Sequence, residues 1–280
     1  MSRIDIDALF ENYMRERVSK NEEKLTLEEW ENKIPELYED FSKVPFAELG
    51  GKTPAEVYAG RSGANLAAEL CETLEEGAEP SEFLCRALAE AEDAEEPLIA
   101  LLDEEEEEKV MYALNLLGER GSAKAVPKYI GLVLFGADGH VKELAAELLS
   151  ERSEEAKEGV LSAYADADED AKALFCDVLS RCRADGRVFA VLKDAFLSHP
   201  DKAAMYSSYL ARYGDESALP LLYEAIERPG LDFAEFRELK FAIETLGGEY
   251  EKKRDFSADK TYKKIREQSA KDRKNTEKQH

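Results

Sequence analysis

Apolar residues recur three and four positions apart along most of the chain, the spacing of one face of a helix. Residues 208–228 show the pattern most fully. Tyr209, Leu210 and Tyr213 form one stripe. Gly214 follows, where a helix stops easily because glycine enters the left-handed region without steric cost. Asp215 offers a side-chain oxygen to open a second helix, and Ala218, Leu219, Leu222, Ala225 and Ile226 are its apolar face. Pro220 lies early in that helix, where a missing backbone N–H matters little. The pattern predicts two amphipathic helices joined by a tight corner.

A hairpin this short cannot bury its own apolar face and needs neighbours like itself. Leu117, Leu149, Leu179, Tyr213 and Leu246 each close an apolar stripe, at spacings of 32, 30, 34 and 33 residues. Gly118, Ser150, Ser180, Gly214 and Gly247 follow them. Upstream, the slots three and four residues before are Ala113/Leu114, Ala145/Ala146, Phe175/Cys176, Tyr209/Leu210 and Ala242/Ile243. The agreement in period and in apolar slots predicts an all-α chain of stacked hairpins.

The run Tyr-Gly-Asp-Glu-Ser-Ala-Leu-Pro-Leu-Leu at 213–222 resembles the signature of HEAT-like repeats of the phycobilisome-lyase type. Residues 117–127 resemble the same signature with an insertion, while the copies around Ser150 and Ser180 lack its glycine and proline. The resemblance covers roughly residues 62–249. It implies a right-handed α-α superhelix of the HEAT/armadillo kind, and says little of function because such solenoids carry many unrelated activities.

Residues 1–61 do not follow the repeat and are expected to form an irregular helical cap. Ile6, Leu9, Phe10, Tyr13 and Met14 predict a first helix. Thr26 and Glu29 form a capping box ahead of Trp30, Ile34, Tyr38 and Phe41, with Pro35 expected to kink or restart the helix. Trp30 and Phe46 are expected to pack on the first repeat. Gly51-Lys52-Thr53 lacks the earlier glycine of a phosphate loop, since Phe46 holds that position. The loop at 49–54 resembles one in the toxin-binding domains of some bacterial antitoxins. Further on, Asp103 is expected to cap the helix that follows the acidic run at 103–108.

Charge narrows the partners. The 280 residues carry a net charge of −24. Residues 252–280 hold 11 basic and 5 acidic residues, a surplus of +6 that leaves −30 on residues 1–251. That body excludes DNA, RNA or anionic lipid as ligands, which are held by Lys and Arg. Residues 250–280 are expected to form a basic, disordered tail, because little apolar content ties them down. No stretch has the length and apolarity of a membrane span, and the N-terminus has no signal-peptide core, so the expected compartment is the cytoplasm. Cys71, Cys85, Cys176 and Cys182 show no metal or redox spacing and are expected to be reduced, buried or half-buried thiols.

No catalytic constellation, metal site or cofactor site emerges. His140 is followed by Val141 and His199 by Pro200, so the His-Glu pairs of HEAT-like hydroxylases are absent. By the resemblance, the second helices, near 122–135, 153–166, 185–198 and 216–228, line a concave surface. Lys128, Lys157, Tyr164, Lys193, Tyr223 and Glu224 are the binding residues expected there. The leading expectation is a scaffold that holds a basic protein or peptide, not an enzyme. The alternatives are a lyase-like HEAT enzyme or its accessory factor, and an antitoxin-like regulator working through the 49–54 loop.

Overall fold

The computed structural model describes residues 6–20, 25–266 and 268. Among them every regular element is helical, and no strand occurs. The chain divides into two compact units, Met1–Ala125 and Val126–His280.

In the first unit, α1 (Ile6–Lys20), α2 (Leu27–Glu31) and α3 (Ile34–Ser42) precede four helices with repeat-like packing. The Thr26 capping box forms: the Thr26 amide donates to the Glu29 carboxylate at 2.7 Å, and the Glu29 amide donates back to Oγ1 at 3.3 Å. Pro35 restarts the helix, lying in the first turn of α3, where its ring meets no preceding turn. Phe41 is fully buried, its ring centroid 5.1 Å from those of both Phe10 and Phe46 and 6.1 Å from that of Phe83. Tyr38 stacks on Phe83 at 5.1 Å. This aromatic cluster holds the N-terminal helices to the rest of the unit. Phe46 belongs to it through Tyr13 and Phe41, both within residues 1–61, whereas Trp30 is half-buried and, among the described residues, makes none of these ring contacts. Gly50 and Gly51, with φ of 66° and 82°, turn the loop at 49–54 through a conformation that costs other residues energy.

The remaining helices of this unit are α4 (Gly63–Glu75), α5 (Glu82–Glu90), α6 (Glu95–Leu101) and α7 (Glu107–Glu119). α4 packs on α5 and α6, and α7 on α4, α5 and α6. Gly63 makes the closest approach: a Cβ there would lie 2.4 Å from the Ala94 Cα, and its amide donates to Asp93 at 2.8 Å. The acidic run does not cap a helix through Asp103. α7 begins four residues later, behind Glu106. The reason is Lys109, whose side chain is 7% exposed and draws Glu75, Glu106 and Glu104 to 2.7, 3.6 and 3.8 Å.

The second unit contains α8 (Val126–Phe135), α9 (Gly139–Glu151), α10 (Ser153–Ala163), α11 (Glu169–Leu179), α12 (Gly186–Ser198), α13 (Ala203–Tyr213), α14 (Leu219–Ile226) and α15 (Phe233–Thr245). Asp138, Asp168, Asp185 and Asp232 open α9, α11, α12 and α15 by accepting amide hydrogen bonds. Asp215 does the same for a 3-10 turn that leads into α14. Helices α9, α11, α13 and α15 pack each on the next, with α8 on α9 and α10, α10 on α11, α12 on α13 and α14 on α15. Leu117, Leu149, Leu179, Tyr213 and Leu246 all fall at the C-terminal ends of odd-numbered helices from α7 to α15. The slots Leu114, Ala146, Cys176, Leu210 and Ile243 are at most 5% exposed.

Within each unit, side-chain hydrogen bonds join neighbouring hairpins. The Ser153 hydroxyl donates to the Arg181 carbonyl at 3.3 Å, and the Cys182 thiol to the Ser153 carbonyl at 3.4 Å. Arg187 grips Glu158 with two bonds of 2.6 and 2.9 Å. In the first unit, Arg120 donates to the Leu88 and Ala89 carbonyls at 3.0 and 2.6 Å. These partners lie 28 to 32 positions apart, the length of one repeat.

Residues 250–266 are held against α15, so the part of the basic tail that lies within the described residues is ordered by contacts. Phe256 packs on Phe233 and Phe236 with centroids 5.4 and 5.1 Å away, and Tyr262 on Phe233 at 5.0 Å. Arg254 donates to the Ile226 carbonyl at 2.8 Å, and Asp259 accepts the Phe233 amide at 3.2 Å. Aromatic residues at a spacing too irregular to read as a helix supply this attachment. The tail beyond 268 lies outside the described residues.

Candidate functional site

Of the residues expected to bind a partner, Lys128 is half-buried on α8, and Lys193 and Glu224 are exposed on α12 and α14. Lys157 is half-buried on α10 and pairs with Glu154 at 3.1 Å. The two tyrosines hold their own chain. The Tyr164 hydroxyl lies 3.6 Å from the Cys176 thiol, and burial pushes its pKa well above the phenol range. The Tyr223 hydroxyl donates to the Glu249 carbonyl and accepts the Glu249 amide, both at 3.1 Å.

A second surface of this unit went unnoticed in the sequence. Val141, Ala145, Leu148 and Leu149 turn α9 inward, which leaves Glu143, Glu147 and Glu151 exposed on its outer side, one helical turn apart. No hydrogen bond or ion pair reaches these three carboxylates among the described residues. They border a groove of about 440 Å³ with Ala146 and Leu174 in its lining and Asp177 and Tyr209 along the α11 and α13 side. The apolar slots of the repeat create it: small Ala146 leaves room between α9 and α11.

The Asp177 wall is compensated by arginines of the chain itself, and one of them, Arg181, also lines the groove. Half-buried Asp177 accepts from the Ser150 hydroxyl and from Arg181, both at 3.3 Å, and from Arg212. The Arg212 guanidinium also donates to Ser180 Oγ at 3.1 Å and lies 5.6 Å from the Tyr209 ring centroid, within cation–π range. Burial, with Asp177 nearby, pushes the Tyr209 phenol up to about 12, so it stays neutral at physiological pH. Carboxylate and aromatic face thus both engage guanidinium groups of the chain itself.

The first unit has a hollow of about 590 Å³ beside Tyr58, Leu66 and Phe83. Its two arginines are already matched: Arg61 meets Glu69 at 2.5 Å, and Arg86 meets Glu82 at 2.7 Å. Glu90, Glu92 and Asp93 also line it, and Asp93 accepts the Gly63 amide at 2.8 Å. The thiols are equally quiet. Cys176 and Cys182 are buried and Cys71 and Cys85 half-buried, as expected. Burial pushes Cys176 up to about 12 and Cys85 and Cys182 up to about 11, so none is a thiolate at neutral pH.

What the fold defines is an all-helical protein of consecutively packed short helices, with an acidic groove on one of its units. No protein-family model matches the sequence, and no curated protein matches it. No helix of the described residues is long and apolar enough to cross a membrane.

Proposed function

We propose that the repeated hairpins are HEAT-like units and that the protein is a scaffold for a basic segment of a partner protein. The superhelical winding and the concave face implied by the resemblance belong to this reading. The observation that carries it is the joining of neighbouring hairpins within each unit by contacts one repeat long, on a chain of net charge −24. Such stacks make extended surfaces that hold proteins and peptides. A negative surface speeds association with cations and repels acidic ligands.

Titration with a lysine- and arginine-rich peptide, beside an acidic peptide of equal length, tests this. The basic peptide binds and the acidic one does not. Its affinity falls as salt rises from about 50 to about 300 mM, because the Debye length shrinks over that range. Equal binding of the acidic peptide, or indifference to salt, would overturn the reading.

A further inference from the structure

We infer that residues 250–266 are a cap. They take the place of a further hairpin on the last one, and they keep a second copy of this chain from docking on the aromatic face of α15. The inference concerns the C-terminal end of the second unit and does not depend on the scaffold reading above.

The bridges put this segment where a hairpin would be. In this unit α9 packs on α11, α11 on α13 and α13 on α15, which is the last of the series. Residues 250–266 are what meets α14 and α15 next. Arg254 donates to the carbonyl of Ile226, the last residue of α14, 28 positions back. Arg120 closes in the same way on two carbonyls in the last turn of α5, 32 and 31 positions back. Asp259 accepts the Phe233 amide across 26 positions, and Lys252 meets Glu227 across 25, at 2.5 Å. The chain thus repeats its bridges between hairpins once more, without a hairpin to carry them.

The segment covers apolar surface and shows polar surface. Phe233 and Phe236 lie three apart, on neighbouring turns of α15. Phe256 packs on both rings and Tyr262 on the first. The Tyr250 ring centroid is 5.9 Å from that of Phe236, and the Arg254 guanidinium lies 5.6 Å from it. Both phenylalanines are half-buried with the segment in place, so its departure bares them together. On the outer side Lys252, Lys253, Asp255, Lys260 and Lys263 are exposed. Terminal units of stacked-repeat proteins require such a polar outer face to stay soluble.

The segment is also separable from what it covers. Among the described residues, no backbone–backbone hydrogen bond joins residues 250–266 to a preceding helix, so side chains hold it in place. The bared face suits a second copy because it can be its own complement. Two pairs of rings related by a two-fold axis stack on one another. The charges beside them are already balanced, Arg237 with Glu238 at 3.2 Å and Lys240 with Glu244 at 3.5 Å. Charges of the body farther off are screened beyond about 8 Å at physiological salt.

Sedimentation velocity of the full-length protein, at rising concentration and physiological salt, decides the matter. Wild type keeps the lower mass. The triple variant Arg254→Ala, Phe256→Ser, Tyr262→Ser frees the segment, and its average mass rises toward about twofold that of wild type. Adding Phe233→Ser and Phe236→Ser to the triple variant returns the lower mass. Circular dichroism checks that the variants fold. If the triple variant does not, Phe256→Ala alone decides by the same readings, with a smaller rise. Three outcomes overturn the inference: a folded variant with wild-type mass at every concentration, association that survives loss of both rings, or a wild type that associates as strongly as the variant.

Discussion

The Tyr213 hydroxyl closes a two-bond clasp on Asp185, accepting its amide at 2.6 Å and donating to its carbonyl at 2.9 Å. Tyr213 ends α13 and Asp185 opens α12, so one phenol joins two consecutive hairpins. Tyr223 makes the same kind of clasp on Glu249. Tyr213→Phe keeps the ring and deletes both bonds, leaving a part-buried amide and carbonyl without that partner. The expected loss is about 1–3 kcal/mol, measured by urea unfolding. An unchanged midpoint would show that water replaces the phenol at no cost.

Leu210 fills the slot that is apolar in every copy of the repeat, and it is fully buried. Leu210→Ala is expected to lose roughly 2–5 kcal/mol, transfer and cavity contributions together. A loss below about 0.5 kcal/mol would place the residue outside the inter-helix core.

The C-terminal attachment gives a third prediction. Phe256 meets two rings of α15 and is half-buried. Phe256→Ala is expected to cost about 1–3 kcal/mol and to lower the melting temperature. Deleting residues 252–280 lowers it at least as far, since Arg254, Asp259 and Tyr262 are lost as well. A deletion without effect would mean that the contacts on α15 contribute nothing to stability.

Thiol reactivity and alkaline stability are linked. Burial holds Cys176 protonated up to about pH 12 and Cys85 and Cys182 up to about 11, whereas an unfolded cysteine ionises near about 8.5. Above that pH the unfolded chain has released protons that the folded one still binds, so stability falls as pH rises toward 12. Denaturation midpoints at pH 8, 9 and 10 are therefore expected to decline in that order. A disulfide reagent at pH 8 should modify Cys176 and Cys182 only as fast as the protein unfolds.

At the acid end the sign reverses. Hydrogen bonds from the Arg187 side chain and amide hold Asp185 down at about 2. Its contribution is present above the ordinary aspartate range and is lost as pH falls from about 4 toward 2. Asp185→Asn is expected to flatten that part of the acid unfolding curve, read by circular dichroism.

The helices were legible because burial follows the spacing: Leu114, Ala146, Cys176, Leu210 and Ile243 all occupy closed positions. The corners without glycine were harder to read. Ser180 stays right-handed with φ of −63° and donates its hydroxyl to the Asp177 carbonyl at 2.6 Å, which closes the turn without a left-handed residue. Asp103 had the chemistry of a cap but not the place, because Lys109 gathers the neighbouring glutamates. Tyr164 and Tyr223 read as amphipathic surface, yet their hydroxyl partners, Cys176 and Glu249, are 12 and 26 residues away, beyond any local pattern. The groove on α9 is a relationship among three helices, and the even spacing of Glu143, Glu147 and Glu151 was its only trace in the sequence.

The clasps and bridges between hairpins also bear on how the chain folds. Their partners are 26 to 32 residues apart, from Tyr223 with Glu249 to Arg120 with Leu88, and each closes a loop of only one hairpin. Closing such a loop has a low entropic cost, and chains rich in near contacts cross their folding barrier quickly. Within each unit, ordering can therefore spread from hairpin to hairpin and does not wait for the ends of the chain to meet.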